Sequence, residues 1–128
     1  MIIRREHLIA PITCKPNDSA MKIAQELRDA NRRHIIVIDN DESPLGIISV
    51  RDLNNKIIAD GKNPLTFTAK DLMTNGIKAI SSTEGYDRAF MLMEELGTTS
   101  IPILEDGKIY GILEFSKSFQ LRTLESSR

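Results

Sequence analysis

The chain has 128 residues, with 17 lysines and arginines against 18 aspartates and glutamates, one cysteine and no tryptophan. This length allows a core without disulfides or metals, and the net charge of −1 argues against general binding to nucleic acid or anionic membranes. The single cysteine excludes an intramolecular disulfide, and no run approaches about 18 apolar residues, so we expect a cytoplasmic protein that is neither exported nor membrane-spanning.

The first half of the chain predicts the order β-α-β-β-α. A short strand around 12–14 precedes apolar residues spaced along one helix face, which are Ala20, Ile23, Ala24 and Leu27. Two β-branched runs at 35–38 and 45–50 then predict strands. A short second helix follows, with apolar positions at Leu53, Ile57 and Ile58.

The second half predicts the same order after a helix-breaking stretch at 60–64. A short strand around 79–80 precedes a helix whose apolar face comprises Tyr86, Ala89, Phe90 and Met93. Strands at 101–104 and 109–113 are joined by Asp106 and Gly107, a strong signal for a hairpin turn. The last helix carries Phe115, Phe119 and Leu121.

The two halves are an internal repeat. The run IIVID at 35–39 recurs as IPILE at 101–105, and Gly46 recurs as Gly111, so the turn of the second copy is one residue shorter. Neither copy is large enough to cover its own sheet. We therefore predict an α/β fold in which two small sheets pack face to face around a pseudo-twofold axis.

The segment 46–52, GIISVRD, lies where a strand ends and a helix begins. Exposed N–H groups at a helix start attract phosphate, Ser49 adds a hydroxyl, Arg51 offers positive charge, and Asp52 can accept hydrogen bonds from a ribose diol. Alternatively, Ser49 and Asp52 form a capping box that needs no ligand. The local sequence leaves both interpretations open.

The repeated β-α-β-β-α order, with its apolar strands and the glycine-led strand after each, resembles paired cystathionine-β-synthase (CBS) domains, also called a Bateman module. The resemblance spans residues 8 to 121 and implies one CBS repeat at 8–60 and a second at 66–124, followed by a flexible tail at 125–128.

In that family, a site for adenosine-containing ligands is marked by a seven-residue motif that begins with glycine, has Ser or Thr at its fourth position and ends with Asp. The resemblance implies that Asp52 binds the ribose and that Ser49 lies near the phosphate, with Arg51 beside them. The second copy departs from the motif, since Glu114 replaces the hydroxyl and Lys117 replaces the carboxylate. A carboxylate about 4 Å from a phosphate costs about 4 kcal/mol at an effective dielectric constant of 20, so we expect one competent site.

Family geometry implies that each site combines residues of both repeats. For the competent site, the second repeat would supply Ser81, Tyr86, Thr98, Thr99 and Ser100. The corresponding basic residues of the first repeat would face the altered motif as a second site with Lys117, and they are Lys15, Arg32, Arg33 and His34. A solvated turn is the alternative interpretation of these basic residues.

The resemblance implies a regulatory sensor that binds AMP, ADP or ATP between its repeats and signals to an effector protein in trans. Alternatives are a sensor of S-adenosylmethionine or its thioether products, and a ligand-free CBS scaffold. Cys14, His7 and His34 have neither metal-ligand spacing nor a catalytic constellation, so we expect no metal, no required cofactor and no enzymatic activity. The resemblance also implies a homodimer, formed through the apolar second helices.

Overall fold

The computed structural model describes residues 2–126, with side chains from residue 2 to residue 122. The chain divides into two compact units. Residues 12–77 form one of them, here called the continuous unit. The other, the composite unit, is built from the residues up to 11 together with those from 78 onward.

The continuous unit holds one mixed sheet with helices. Its elements are β1 (Thr13–Cys14), α1 (Ala20–Ala30), β2 (His34–Ile38), β3 (Pro44–Ser49), α2 (Val50–Leu53), a π-helical turn (Asn54–Ile58), α3 (Ala69–Leu72) and β4 (Thr74–Asn75). The strand order is β1-β2-β3-β4, with β1 parallel to β2 and the other neighbours antiparallel.

The core of the continuous unit lies between α1 and the sheet. Ser19 begins α1 by accepting a hydrogen bond from the Lys22 N–H at 3.1 Å. The helix then places Ile23 and Leu27 in a buried cluster with strand residues such as Ile35. The apolar spacing that predicted this helix therefore marks its buried face.

The composite unit holds the second sheet. Its elements are β5 (Ile80–Ser81), a 3₁₀ turn (Ser82–Glu84), α4 (Gly85–Leu96), β6 (Ser100–Glu105), β7 (Lys108–Glu114) and α5 (Phe115–Ser126). The strand order is β5-β6-β7, with β5 parallel to β6 and β6 antiparallel to β7. Asp106 and Gly107 join β6 and β7 with φ angles of 53° and 77°, the conformation that a tight hairpin requires.

Both sheets have the same irregularity next to a glycine. The register shifts between Val37 and Ile38 beside Gly46, and between the equivalent residues Ile103 and Leu104 beside Gly111. A Cβ atom on Gly46 would lie 2.6 Å from the Thr74 carbonyl oxygen. One on Gly111 would lie 2.7 Å from the Leu8 Cβ. Each glycine therefore lets another backbone segment pack closely against its sheet.

Each of these neighbouring segments belongs to one half of the sequence and packs against the sheet formed by the other half. In the continuous unit, β4 pairs with β3, although β4 lies within the second predicted repeat, 66–124. In the composite unit, Ile9 forms a bridge with Ile112 of β7, although Ile9 lies within the first predicted repeat, 8–60. We call residues 2–11 and 68–75 the two arms, because each one lies at the beginning of one predicted repeat and packs on the sheet of the other.

The mixed α/β fold with two sheets confirms the predicted fold class, including the helices α1 and α4 and the two hairpins. The sequence did not predict α3, β4 or the π-helical turn. The repeat boundaries 8–60 and 66–124 stay predictions, and the compact units divide the chain elsewhere, after Pro11 and after Ile77.

The predicted tail at 125–128 begins within α5, which continues through Ser126. Glu125 and Ser126 are therefore helical, and the last two residues of the predicted tail lie outside the described residues. Among the apolar residues predicted for a dimer interface, Ile57 belongs to the core, whereas Ile58 and Phe119 are exposed.

Candidate ligand-binding site

The predicted motif lies at the junction of β3 and α2. Ser49 ends β3 in an extended conformation, and its hydroxyl accepts a hydrogen bond from the Asp52 N–H at 3.1 Å. The Ser49 N–H donates to Asp52 Oδ2 at 2.8 Å, and the Ser49 hydroxyl lies 3.1 Å from the same oxygen. The two residues thus form a capping box, the geometry of the ligand-free interpretation.

The Asp52 carboxylate keeps acceptor capacity beyond this cap. Its Oδ2 atom accepts from Ser49, while its Oδ1 atom faces the Lys56 Nζ at 3.5 Å. The Asp52 side chain is 20% exposed. Since an ionised carboxylate has about four acceptor positions, it can still accept hydrogen bonds from a bound diol.

Lys56 connects the carboxylate to one of the arms. Its Nζ donates a hydrogen bond at 2.7 Å to the carbonyl oxygen of Leu72, the last residue of α3. Leu72 is fully buried, and the next residue, Met73, packs against Gly46 at the other end of the motif. Lys56 was not predicted as a site residue, although its position four residues after Asp52 on a helix is a signal that the sequence contains.

His34 and Arg33 lie at the same end of the sheet as Ser49. His34 is the register partner of Ser49, and the Val50 N–H donates to the Arg33 carbonyl oxygen at 3.0 Å. Partial burial lowers the pKa of His34, the Arg33 charge lowers it further, and the Asp52 charge opposes both. The resemblance assigned these two residues to a second site with Lys117, whereas the structure brings them beside Ser49 and Asp52.

The other basic residues predicted for a second site have their own contacts in the continuous unit. The Lys15 Nζ donates to the Asp39 carbonyl oxygen at 3.0 Å. The Arg32 N–H donates to the Leu27 carbonyl oxygen at 3.0 Å, at the end of α1. Their role in binding phosphate stays a prediction, as does that of Lys117, which lies on α5 of the composite unit.

The predicted residues of the second repeat lie in the composite unit. The Ser81 hydroxyl accepts from the Thr83 N–H at 3.3 Å, and the Thr98 hydroxyl donates to the Ser100 carbonyl oxygen at 3.1 Å. The Thr99 carbonyl oxygen accepts from the Phe115 N–H at 2.8 Å. Whether these residues share a site with Ser49, Arg51 and Asp52 stays a prediction.

Tyr86 does not fit its predicted contact with a ligand. Its side chain is fully buried in the core of the composite unit. Its hydroxyl accepts from the Arg4 N–H at 3.0 Å and is hydrogen-bonded to His7 Nδ1. Tyr86 therefore holds the N-terminal arm against α4, and we correct its assignment from ligand contact to core residue.

A second capping box shows which features of the site are generic. The N–H of Thr68 donates to Asp71 Oδ2 at 3.1 Å, and the Thr68 hydroxyl lies 3.0 Å from the same atom. These hydrogen bonds lower the pKa of the exposed Asp71 carboxyl. Because a Thr-x-x-Asp cap forms without any strand motif before it, cap geometry alone does not indicate a ligand site.

Side chains of the metal-ligating and thiol types also lie among the described residues. Across residues 2–126, the structure has no group of three or more His, Cys, Asp and Glu side chains that could hold a metal ion. Burial and the nearby Asp18 and Glu26 charges raise the pKa of Cys14 to about 12, so the thiol stays protonated near neutral pH. None of the described helices has the length and apolar character needed to span a bilayer.

Comparison with known proteins agrees with the fold. A family model described as the CBS domain matches residues 5–59 and 69–116. Uncharacterized protein MK0525 of Methanopyrus kandleri is 31% identical over 111 residues, which are 86% of this chain and 57% of that protein. The chain therefore spans little more than half of that relative's length.

Solved structures with a similar fold include two described in their own names as ligand or metal complexes. The structure of Hypoxic Response Protein I with two coordinated zinc ions has a TM-score of 0.79 and 22% identity, covering 91% of this chain and 95% of that chain. The CBS domain pair of protein MJ0100 in complex with 5-methylthioadenosine and S-adenosyl-L-methionine has a TM-score of 0.76 and 24% identity, covering 95% and 99%.

Proposed function

Because this chain belongs to the CBS-domain family, which its two matched segments establish, we propose that it is a regulatory module that binds an adenosine-type ligand. In this proposal, the Asp52 carboxylate accepts hydrogen bonds from the ribose diol at the start of α2. The module performs no catalysis, and it passes ligand occupancy to an effector protein in trans.

The observation that carries the proposal is the state of Asp52. The carboxylate is fixed by Ser49 and Lys56, yet one-fifth of its side chain remains exposed at the end of a strand. An acceptor that is already held in place loses little conformational entropy when it binds a diol. A fixed carboxylate therefore binds a diol more favourably than a mobile surface carboxylate does. The diol replaces water at the remaining acceptor positions and does not need to break the cap.

The charge around Asp52 supports a ligand with a phosphate. Arg51 follows Val50 in the first turn of α2, His34 begins the neighbouring strand β2, and Arg33 directly precedes it. Backbone N–H groups at the start of a helix add a partial positive charge. We therefore rank AMP, ADP or ATP ahead of S-adenosylmethionine, whose sulfonium is cationic.

The similarity to the MJ0100 domain pair supports S-adenosylmethionine and its thioether products as alternative ligands. That protein is described in complex with 5-methylthioadenosine and S-adenosyl-L-methionine, both of which contain the adenosine group. The shared chemistry is a purine with a free ribose diol. This shared chemistry favours the same role for the Asp52 carboxylate, as acceptor for the ribose diol, whichever 5′ substituent the ligand has.

The proposal is tested by calorimetric titration of the full chain with AMP, ADP, ATP and S-adenosylmethionine. Asp52→Ala removes the ribose acceptor, and Asp71→Ala is a matched control because it removes the equivalent carboxylate from the capping box of Thr68. We expect Asp52→Ala to weaken binding by at least about tenfold, the scale of one charge-assisted hydrogen bond. Asp71→Ala should leave the affinity unchanged.

The capping box itself favours a second candidate, a ligand-free CBS scaffold. Ser49 and Asp52 already satisfy each other through three short contacts, and helix capping alone accounts for both residue types. Absence of heat with all four ligands would support the scaffold and contradict the sensor. Mass spectrometry of the protein as isolated from cells would identify any retained ligand.

The assembly state is a further part of the proposal. We propose a homodimer, because Ile58 of the π-helical turn and Phe119 of α5 are 73% and 51% exposed. Large exposed apolar side chains are common at interfaces between subunits. Light scattering after size exclusion should give twice the mass of the chain, and a monomer at all concentrations would contradict this part.

A further inference from the structure

Lys56 has an unusually well-defined position for a lysine near the surface. Its Nζ donates to the Leu72 carbonyl oxygen at 2.7 Å and lies 3.5 Å from Asp52 Oδ1. Leu72 is fully buried, so the carbonyl that holds the ammonium group is part of the fixed core. An isolated pair at i and i+4 on a helix surface is usually mobile, whereas this pair has a third, immobile partner.

The hydrogen bond to Leu72 has its own structural cause. The last carbonyl groups of a helix have no partner within that helix, and Leu72 is the final residue of α3. A lysine side chain near such an end can supply the missing donor. Lys56 therefore remains in place whether or not Asp52 is engaged with a ligand, and its charge stays beside the carboxylate.

From this arrangement we propose that Lys56 determines ligand charge selectivity at the Asp52 site. This inference rests on the proposed function, since it concerns the same carboxylate. Lys56 offsets the negative charge of Asp52. The positive charges of Arg51, which precedes Asp52 in sequence, and of Arg33, which precedes His34, are then uncompensated by that carboxylate and favour an adenosine ligand with an anionic 5′ group over a neutral or cationic one.

AMP and 5′-methylthioadenosine have the same nucleoside and differ in the charge of the 5′ group. The ribose diol is neutral, so its hydrogen bonds to Asp52 depend little on the Lys56 charge. A 5′ phosphate, however, is repelled by an uncompensated carboxylate and attracted by the ammonium group, over distances at which charges in a partly buried site still interact. Removing the Lys56 charge should therefore weaken AMP and leave neutral 5′-methylthioadenosine nearly unchanged.

The experiment measures the affinities of the full chain for AMP and 5′-methylthioadenosine, and their ratio, in Lys56→Gln. Glutamine removes the charge and keeps a neutral N–H donor, although its amide nitrogen lies one bond closer to the backbone than the lysine Nζ. Lys56→Arg restores the charge. Lys70→Met is the matched control, because it removes one positive charge beside Asp71, the carboxylate of the capping box at Thr68.

We expect the ratio of AMP affinity to 5′-methylthioadenosine affinity to fall about tenfold in Lys56→Gln, to stay at the wild-type value in Lys70→Met and to recover in Lys56→Arg. A merely structural role would weaken both ligands alike and leave the ratio unchanged, which would overturn the inference about Lys56 alone. Binding of neither ligand to the wild-type chain would instead overturn the proposed function, and the inference with it.

Discussion

Asp52 and Asp71 occupy the same position in two capping boxes and differ in their neighbours. Asp71 has Lys70 next to it in sequence, whereas Asp52 has Lys56 one helical turn later and His34 on the adjacent strand. The neighbours of Asp52 come together only because β2 pairs with β3 and α3 ends beside the π-helical turn. Tertiary structure, more than the cap, distinguishes the candidate site.

Cys14 provides a prediction about reactivity. It lies on β1 with its side chain buried in the core of the continuous unit, and burial with nearby acidic charge raises the pKa of the thiol to about 12. We expect native protein to react very slowly with a thiol reagent at pH 8, and to react stoichiometrically in denaturing urea. Rapid labelling of folded protein at pH 8 would contradict this burial.

His34 provides a prediction about pH. The pKa of His34 is lowered in the folded state. As the pH falls toward and below about 6.5, the ordinary histidine value, the unfolded chain therefore binds more protons than the folded chain does. The free energy of unfolding of the wild type should therefore decrease between about pH 7.5 and pH 5 relative to that of His34→Gln. Urea denaturation at several pH values measures this difference, and a constant difference would refute the predicted effect.

The site was partly predictable from sequence. The Ser49–Asp52 contact follows from local spacing, since a serine and an aspartate three residues apart at a helix start can bond to each other. Lys56 was accessible from helical periodicity, but its bond to Leu72 depends on an element that the sequence did not indicate. Tyr86 was placed both on an apolar helix face and in the site, and the core position is the one the structure supports.

At the scale of elements, the arms complete both sheets. The N-terminal arm contributes the fully buried Ile3 to the composite core, and the Ile3 N–H donates to the Ser82 carbonyl oxygen at 2.8 Å. Arg5 stacks on the Tyr110 ring, with 4.6 Å between the guanidinium carbon and the ring centre. The arm is therefore an integral element of the composite unit.

Adjacent isoleucines test the role of the N-terminal arm. Ile3→Ala removes a buried side chain and should lower the free energy of unfolding by about 2–5 kcal/mol. Ile2→Ala changes a side chain that is 59% exposed and should alter it by no more than about 0.5 kcal/mol. Equal effects of the two substitutions in chemical denaturation would show that the arm is not packed as described.

Gly46 tests the fit of the second arm. A methyl group there would lie 2.6 Å from the Thr74 carbonyl oxygen and 2.8 Å from the Met73 sulfur. We expect Gly46→Ala to lower the free energy of unfolding by about 1–3 kcal/mol, the usual cost of overpacking. Asn75→Ala, at an exposed position on the same arm, serves as the control, and a neutral Gly46→Ala would argue against close packing of β4 on β3.

The sequence predicted the elements whose signals are local. Apolar periodicity located α1 and α4, and the Asp106–Gly107 turn located the β6–β7 hairpin, because each depends on residues close in sequence. By contrast, β4 has only two residues, and its pairing with Gly46 joins positions far apart along the chain. No local propensity encodes such a pairing, so the exchange of arms was missed.

At the scale of the whole molecule, the exchange of arms bears on the proposed passage of ligand occupancy to an effector. The candidate site is anchored through Lys56 to Leu72, at the end of the element that leads into β4 and from there toward the composite unit. A ligand shifts a conformational equilibrium only through a difference in affinity between two states. We therefore place the responsive element at α3 and β4, where occupancy of Asp52 would alter backbone contacts.

Hydrogen exchange tests this placement. Saturating AMP should slow exchange of the Met73 amide, which donates to the Ala69 carbonyl oxygen at 2.9 Å, together with amides of the first turn of α2. In Lys56→Gln at saturating AMP, the slowing at Met73 should be smaller than in wild type, because the link to Asp52 is weakened. Protection confined to α2 would contradict the coupling.

The central claim is that Asp52 binds the ribose of an adenosine ligand. The most direct test is a two-dimensional NMR titration of the ¹⁵N-labelled chain with AMP and with 5′-methylthioadenosine. The account predicts saturable shifts of the Ser49 and Asp52 amide resonances, retained in Asp71→Ala and lost in Asp52→Ala. If neither ligand, at millimolar concentration, shifted the Ser49 or the Asp52 amide resonance, the claim that Asp52 binds the ribose would be contradicted.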